Sequence, residues 1–150
     1  MSGSTAQEAW ALFWRLFTAD LPRRSAILAA HGLTPMQAKA LQALVPEAPL
    51  TMSRLANQMF CDPSNITGVA DRLEAAGLVE RRPSAQDRRV KTLVLTPAGE
   101  RARDDMVRDM SVPPPAIASL SEEDAEHLRA ILERALAGAG ADADGASAAR

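Results

Sequence analysis

The stretch DPSNITGVADRLEAAGLVERRPSAQDRRVKTLVLTPAG, residues 62–99, decides how the chain folds. Its first half has a helical period. Ile66, Val69, Ala70 and Leu73 share one apolar face, while Ser64, Asn65, Thr67, Gly68, Asp71 and Arg72 point the other way. Asp62-Pro63 is a start signal, with Asp62 as N-cap and Pro63 at the first helical position. Gly77 stands where a left-handed residue closes a helix. The period then shortens to two. Residues 78–82 and 89–95 read as strands around the turn-rich Pro83-Ser84-Ala85-Gln86-Asp87. In the second strand Val90, Thr92 and Val94 lie on one face, and Lys91, Leu93 and Leu95 on the other.

Helices flank this stretch on both sides. Upstream, Thr34-Pro35-Met36-Gln37 forms a capping box, and Met36, Ala40, Leu41 and Leu44 supply a buried face. Pro46 and Pro49 end that helix. Leu50-Thr51 opens a short one to residue 60, with Leu50 and Leu55 as a hydrophobic staple. Residues 6–31 carry a stripe of Trp10, Phe13, Trp14, Phe17 and Leu21, which holds four of the chain's five aromatics. Pro22 kinks or divides this helix. Downstream, Thr96-Pro97 launches a helix to about residue 110, stopped by Pro113-Pro114-Pro115. Ser121 with Asp124 starts a last amphipathic helix, striped by Leu128, Ile131, Leu132 and Leu136. Residues 138–150 are rich in Gly, Ala, Asp and Ser, which predicts disorder.

Helix, short helix, capped helix and β-hairpin in that order make a winged helix-turn-helix. Such a helix keeps one face in the core and offers small polar or basic groups to a groove. Ser64, Asn65 and Thr67 can bond phosphates or base edges, and the helix N-terminus offers free N–H groups. The hairpin can reach a neighbouring minor groove with Arg88 or Arg89.

The charge sum first speaks against nucleic acid. The 150 residues carry 17 Lys+Arg and 19 Asp+Glu, a net of −2. The distribution reverses that reading. Residues 1–50 carry +1, residues 51–103 carry +3 and residues 104–150 carry −6. Arg81, Arg82, Arg88, Arg89 and Lys91 stand against Asp87 alone within eleven residues, an electrostatic footprint for phosphate.

Residues 50–99 resemble the winged helix-turn-helix of the multiple-antibiotic-resistance regulator (MarR) family. D-x-S-x-x-T-x-x-x-D-R-L-E-x-x-G-L-V-x-R, followed by D-R-R before L-T-x-x-G, carries the resemblance. It extends more weakly through HGLTPMQAKAL, residues 31–41, and the outer helices to about residue 137. The resemblance implies a fold that is mainly α with a small β-hairpin wing. Residues 1–33 would be an N-terminal dimerisation helix, 34–99 the winged helix-turn-helix lobe, 100–137 C-terminal dimerisation helices, and 138–150 a tail. It implies a homodimer with Trp10, Phe13, Leu128, Ile131 and Leu132 at the interface. It places Ser64, Asn65, Thr67 and Arg72 at major-groove or phosphate positions, and Arg88 and Arg89 at the minor groove. Asp62 would pair with Arg89 and, with Asp87, steady the wing; on physics alone Asp62 is an N-cap. Arg72 has a second reading, as an ion-pair partner of Asp71 or Glu74. Gly68 departs from relatives with longer side chains there, which removes one implied contact.

The function implied is a DNA-binding transcriptional regulator, acting as a repressor released from a pseudo-palindromic operator by a small apolar or phenolic ligand. Trp14, Phe17, His31 and Met36 are expected to border the ligand cavity. His31 also reads as a helix-terminal residue interacting with the dipole. Two alternatives are a winged-helix module that binds protein instead of DNA, and a thiol-based redox regulator acting through Cys61. Cys61 precedes a helix N-terminus, but no cysteine lies in the first helix, where peroxide-sensing relatives typically carry one. A Ser/His/Asp order, a metal-ligand cluster and a phosphate-binding glycine loop are all missing, so neither an enzyme nor a cofactor is expected. One cysteine, no signal peptide and no membrane-length apolar run suggest a reducing, cytoplasmic setting without membrane contact.

Overall fold

The computed structural model describes residues 4–147. They form helices α1 (Thr5–Ala19), α2 (Leu21–Ala30), α3 (Pro35–Ala43), α4 (Met52–Met59), α5 (Pro63–Ala75), α6 (Pro97–Ser111), α7 (Pro115–Ala118) and α8 (Glu122–Ser147). Strands β1 (Leu50–Thr51), β2 (Val79–Pro83) and β3 (Lys91–Leu95) make an antiparallel sheet in the order β1-β3-β2. No described helix is long and apolar enough to cross a membrane.

The capping chemistry sets the helix starts. Ser4 and Thr34 each form a complete capping box, with Gln7 and Gln37 respectively. Thr51 and Thr96 accept from the backbone N–H groups of Arg54 (3.2 Å) and Gly99 (3.0 Å). The first apolar pattern is divided at Asp20, and Pro22 takes the second position of α2. There the missing N–H of proline costs nothing. Arg23 donates to both carboxylate oxygens of Asp20, at 2.6 and 2.9 Å. This holds the Asp20 carboxyl below its ordinary 3.8. The pair therefore contributes at neutral pH and is lost as pH falls through the lowered value.

Four elements depart from expectation. β1 pairs Leu50 with Leu93 and Thr51 with Thr92, and so turns the hairpin into a three-stranded sheet. Two residues are too few for a period to be read. β3 begins at Lys91, because Arg89 and Val90 belong to the turn, where Val90 N–H donates to Asp87 (3.0 Å). After the proline run, Pro115 opens the four-residue α7, since proline suits a first helical turn as well as it ends a helix. The helix α8 also runs to Ser147, past residue 138 where the composition predicts disorder. The alanines of that stretch favour helix over its glycines. Residues 148–150 lie outside the described residues.

The chain divides into two compact units, the first ending at Val112 and the second beginning at Pro113. In the first, Leu41, Leu44, Leu55, Ile66, Leu73, Leu93 and Met106 are fully buried in one cluster. Leu28 of α2 belongs to it, so the core crosses the boundaries expected at 33/34 and 99/100. Gly99 sits at a close approach, where an added Cβ would lie far inside contact distance of the Leu78 carbonyl oxygen. Gly99→Ala is expected to destabilise the fold by about 3 kcal/mol or more, read from chemical denaturation. In the second unit, Ser121 Oγ accepts from Asp124 N–H (3.1 Å) to start α8. Three acidic residues in its first turn suit the helix dipole.

Two apolar faces stay uncovered. The helix α1 buries no residue, with Trp10 64% and Trp14 54% exposed. Its rings stack on one another, Trp10–Phe13 at 5.5 Å and Trp14–Phe17 at 5.8 Å between centroids. On α8, Leu128 is half-buried, while Ile131, Leu132 and Leu136 are exposed.

Candidate nucleic-acid interface

The helix α5 is anchored from beneath by Ile66, Ala70 and Leu73, all fully buried. That fixes which face remains. Ser64, Asn65, Thr67, Gly68, Asp71 and Arg72 are all exposed. Ser64, Asn65, Gly68 and Arg72 line one concavity of about 670 Å³, together with Met36 and Cys61. Thr67 turns its hydroxyl back on its own helix and donates to the Pro63 carbonyl (3.1 Å), which leaves its oxygen lone pairs outward. At the C-terminus Gly77 adopts φ +72°. Its N–H reaches Glu74 and that of Leu78 reaches Leu73, each at 2.9 Å. Only this left-handed turn satisfies both carbonyls and sends the chain into β2.

Arg81 of β2 decides the electrostatics of that helix. Its guanidinium bonds Asp71 (2.5 Å) and Glu74, and its backbone N–H donates to Glu74 (3.2 Å). The hydrogen bond to Asp71 raises the Arg81 pKa above its ordinary value, with Glu74 adding to it. Both carboxylates of the helix are thereby neutralised from the wing side. Arg72 forms no ion pair among the described residues, so the alternative of pairing with Asp71 or Glu74 is filled by Arg81 instead. The Asp71/Glu74 spacing of three on one helical face, opposite a strand arginine, was the sequence signal for this clamp.

Not every basic residue of the hairpin is free. Arg81 is clamped and Arg82 pairs with Glu80. Arg88, Arg89 and Lys91 are exposed and form no ion pair among the described residues. Asp87 accepts the Arg89 backbone N–H (2.9 Å), and Ser84 N–H donates to the Val90 carbonyl (2.8 Å), which closes the hairpin. Asp62 forms no ion pair with Arg89 and no side-chain cap bond; it starts the helix through its extended backbone alone. The expected Asp62–Arg89 pairing is therefore absent from this conformation, and the wing is held by Asp87 and Arg81.

The four residues expected around a ligand cavity are not brought together. Phe17 lines a concavity of about 580 Å³ with Leu21, Arg24, Leu28 and Met110, whereas Met36 lines the concavity at α5. His31 caps the C-terminus of α2 and bonds Asp109 through Nε2 (2.8 Å). Trp14 borders neither concavity. Cys61 is half-buried, and its thiol donates to the Met59 carbonyl (3.2 Å).

Gly68 is not required by packing, since a Cβ there would meet nothing within 4 Å. Gly68→Ala is expected to raise stability by about 0.5–1 kcal/mol, measured by denaturation, because alanine orders a helix interior at lower entropic cost.

Comparison with known proteins follows the same lines. The MarR family model matches residues 31–90. The HTH-type transcriptional repressor MdtR of Bacillus subtilis (strain 168) is 36% identical over 85 residues, 57% of this chain and 55% of that protein. The chain thus spans little more than half the length of that relative. The HTH-type transcriptional regulator MhqR of the same organism is 30% identical over 105 residues, 69% of this chain and 72% of that protein. A solved MarR family protein from Bacillus stearothermophilus superposes with a TM-score of 0.74 at 29% identity, over 95% of this chain and 97% of that one. Its helices and small antiparallel sheet are those described above, and the chain belongs to the MarR family.

Proposed function

We propose that the protein is a dimeric, sequence-specific DNA-binding repressor. The observation that carries this reading is the combination on α5 and the hairpin. An exposed polar face has its acidic groups clamped by Arg81, and three cations without an ion pair among the described residues follow at the wing. Ser64, Asn65, Thr67 and Arg72 meet the major groove or its phosphates, and Arg88 and Arg89 enter the adjacent minor groove. Family membership and the repressor MdtR among the relatives support the regulatory role.

The uncovered faces of α1 and α8 are covered by a second copy, with Trp10, Phe13, Leu128, Ile131 and Leu132 inside. Two α5 helices then lie about one helical turn apart, ~34–36 Å, and the operator is pseudo-palindromic. The inducer is a small aromatic acid. The concavity beside Phe17, apolar on Leu21, Leu28 and Met110, offers Arg24 for its carboxylate. Ligand there biases the spacing of the two reading helices and releases DNA.

The test is titration of a labelled duplex from the DNA upstream of the gene, at 50 and 200 mM salt, with and without aromatic acids. Six or more phosphate contacts make affinity fall by about a thousandfold or more over that range. Binding that ignores salt, or none at either salt, would remove the DNA reading and favour a module that binds protein.

A further inference from the structure

Three helices of the first unit end in one hydrogen-bonded cap. At α2, Gly32 N–H donates to Ala29 (3.0 Å) and Leu33 N–H to Leu28 (2.9 Å). At α5, Gly77 and Leu78 repeat the arrangement. At α4, Phe60 N–H donates to Asn57 (3.2 Å) and Cys61 N–H to Ala56 (3.0 Å). The cap demands a left-handed residue at its centre. That residue has φ +66° at Gly32, +72° at Gly77 and +53° at Phe60. The chain thus uses glycine twice and a bulky aromatic once, where a β-carbon is strained. Phe60 is also 92% exposed, more than any other large apolar side chain among the described residues. Neither its backbone nor the core accounts for it. Strain of this kind is retained where it serves a site.

We propose that Phe60 contacts DNA directly, laying its ring against the duplex beside the N-terminus of α5. The inference rests on the DNA-binding reading above and adds a residue to it. Three observations select DNA as the target. Phe60 lies two residues before the N-cap Asp62 and four before Ser64, at the end of α5 assigned to the groove. The Lys39 ammonium donates to the Met59 carbonyl (3.0 Å) and stands 5.8 Å from the Phe60 ring centroid, so a cation for phosphate adjoins an apolar plate. The ring is also isolated. Asn57 and Gln58 beside it are exposed and polar and Met59 is buried, which leaves no apolar patch for a protein partner. The apolar surfaces of a duplex at that place are a deoxyribose face or a thymine methyl group.

The experiment compares Phe60→Gly, Phe60→Asn and Phe60→Trp with the wild type. The probe is a 30-base-pair duplex enriched by the wild-type protein from a random-sequence pool. Glycine and asparagine relieve the left-handed strain, so both variants should melt at or above the wild-type temperature while binding about fivefold or more weaker. Tryptophan should restore binding. A copy of the duplex with deoxyuridine for thymine separates the two targets. Weaker wild-type binding to it assigns the methyl group, and equal binding assigns the sugar. Phe60→Gly binding within twofold of the wild type, on a protein that melts normally, would overturn the proposal alone. Failure of the wild type to enrich any duplex would overturn the DNA reading and this proposal with it.

Discussion

Replacing Arg88 and Arg89 together with alanine should lower affinity for duplex DNA about a thousandfold or more, since each lost arginine contact is worth ~1–3 kcal/mol and a dimer loses four. The fold should not notice. Both side chains are exposed and form no ion pair among the described residues, so the melting temperature should stay close to the wild-type value. The salt slope should fall by about one for each phosphate contact removed. Anisotropy titrations at several salt concentrations read both quantities. Unchanged affinity in a stable variant would move the binding surface away from the wing.

The second large effect concerns assembly. The Trp10→Ala, Trp14→Ala double variant should shift the dimer toward monomer, measured by sedimentation. Each ring is more than half exposed in a single chain, and covering the rest with a second copy contributes about 2–3 kcal/mol. Wild-type melting should rise with protein concentration, because only the folded state dimerises, and the variant should lose that dependence. DNA affinity should drop by about two to four orders of magnitude, since the second half-site is no longer held at high effective concentration. A variant that remains dimeric would exclude α1 as the principal interface.

Much of the fold is legible because short-range chemistry dictates it. The capping threonines at 34, 51 and 96, the left-handed Gly77 and the apolar face of α5 act within a few residues of themselves. What escapes the sequence depends on distant partners. β1 exists because Leu93 and Thr92 lie opposite residues 50–51, and no local period announces it. Arg81 counts as a free positive charge until the fold sets it between Asp71 and Glu74. The grouping of Trp14, Phe17, His31 and Met36 rests on the family resemblance alone, and no local pattern in the sequence brings them together. In the fold Phe17 and Met36 line different concavities, and His31 is bonded to Asp109. Phe60 reads as a helix end, and its cost emerges only from its backbone angle and its exposure.

The reading of the charge distribution is sharpened in the same way. Once the internal pairs of Arg81 and Arg82 are taken out, the basic character of the hairpin rests on Arg88, Arg89 and Lys91. That is a smaller patch than the sequence suggests, and it sits beside a helix whose carboxylates are already neutralised.

Selection of binding sites from a random pool of duplexes tests the central claim most directly. The purified protein should enrich a pseudo-palindrome whose half-sites are about 10 base pairs apart, one for each α5 of a dimer. A pool that leaves the selection as random as it entered would contradict the account.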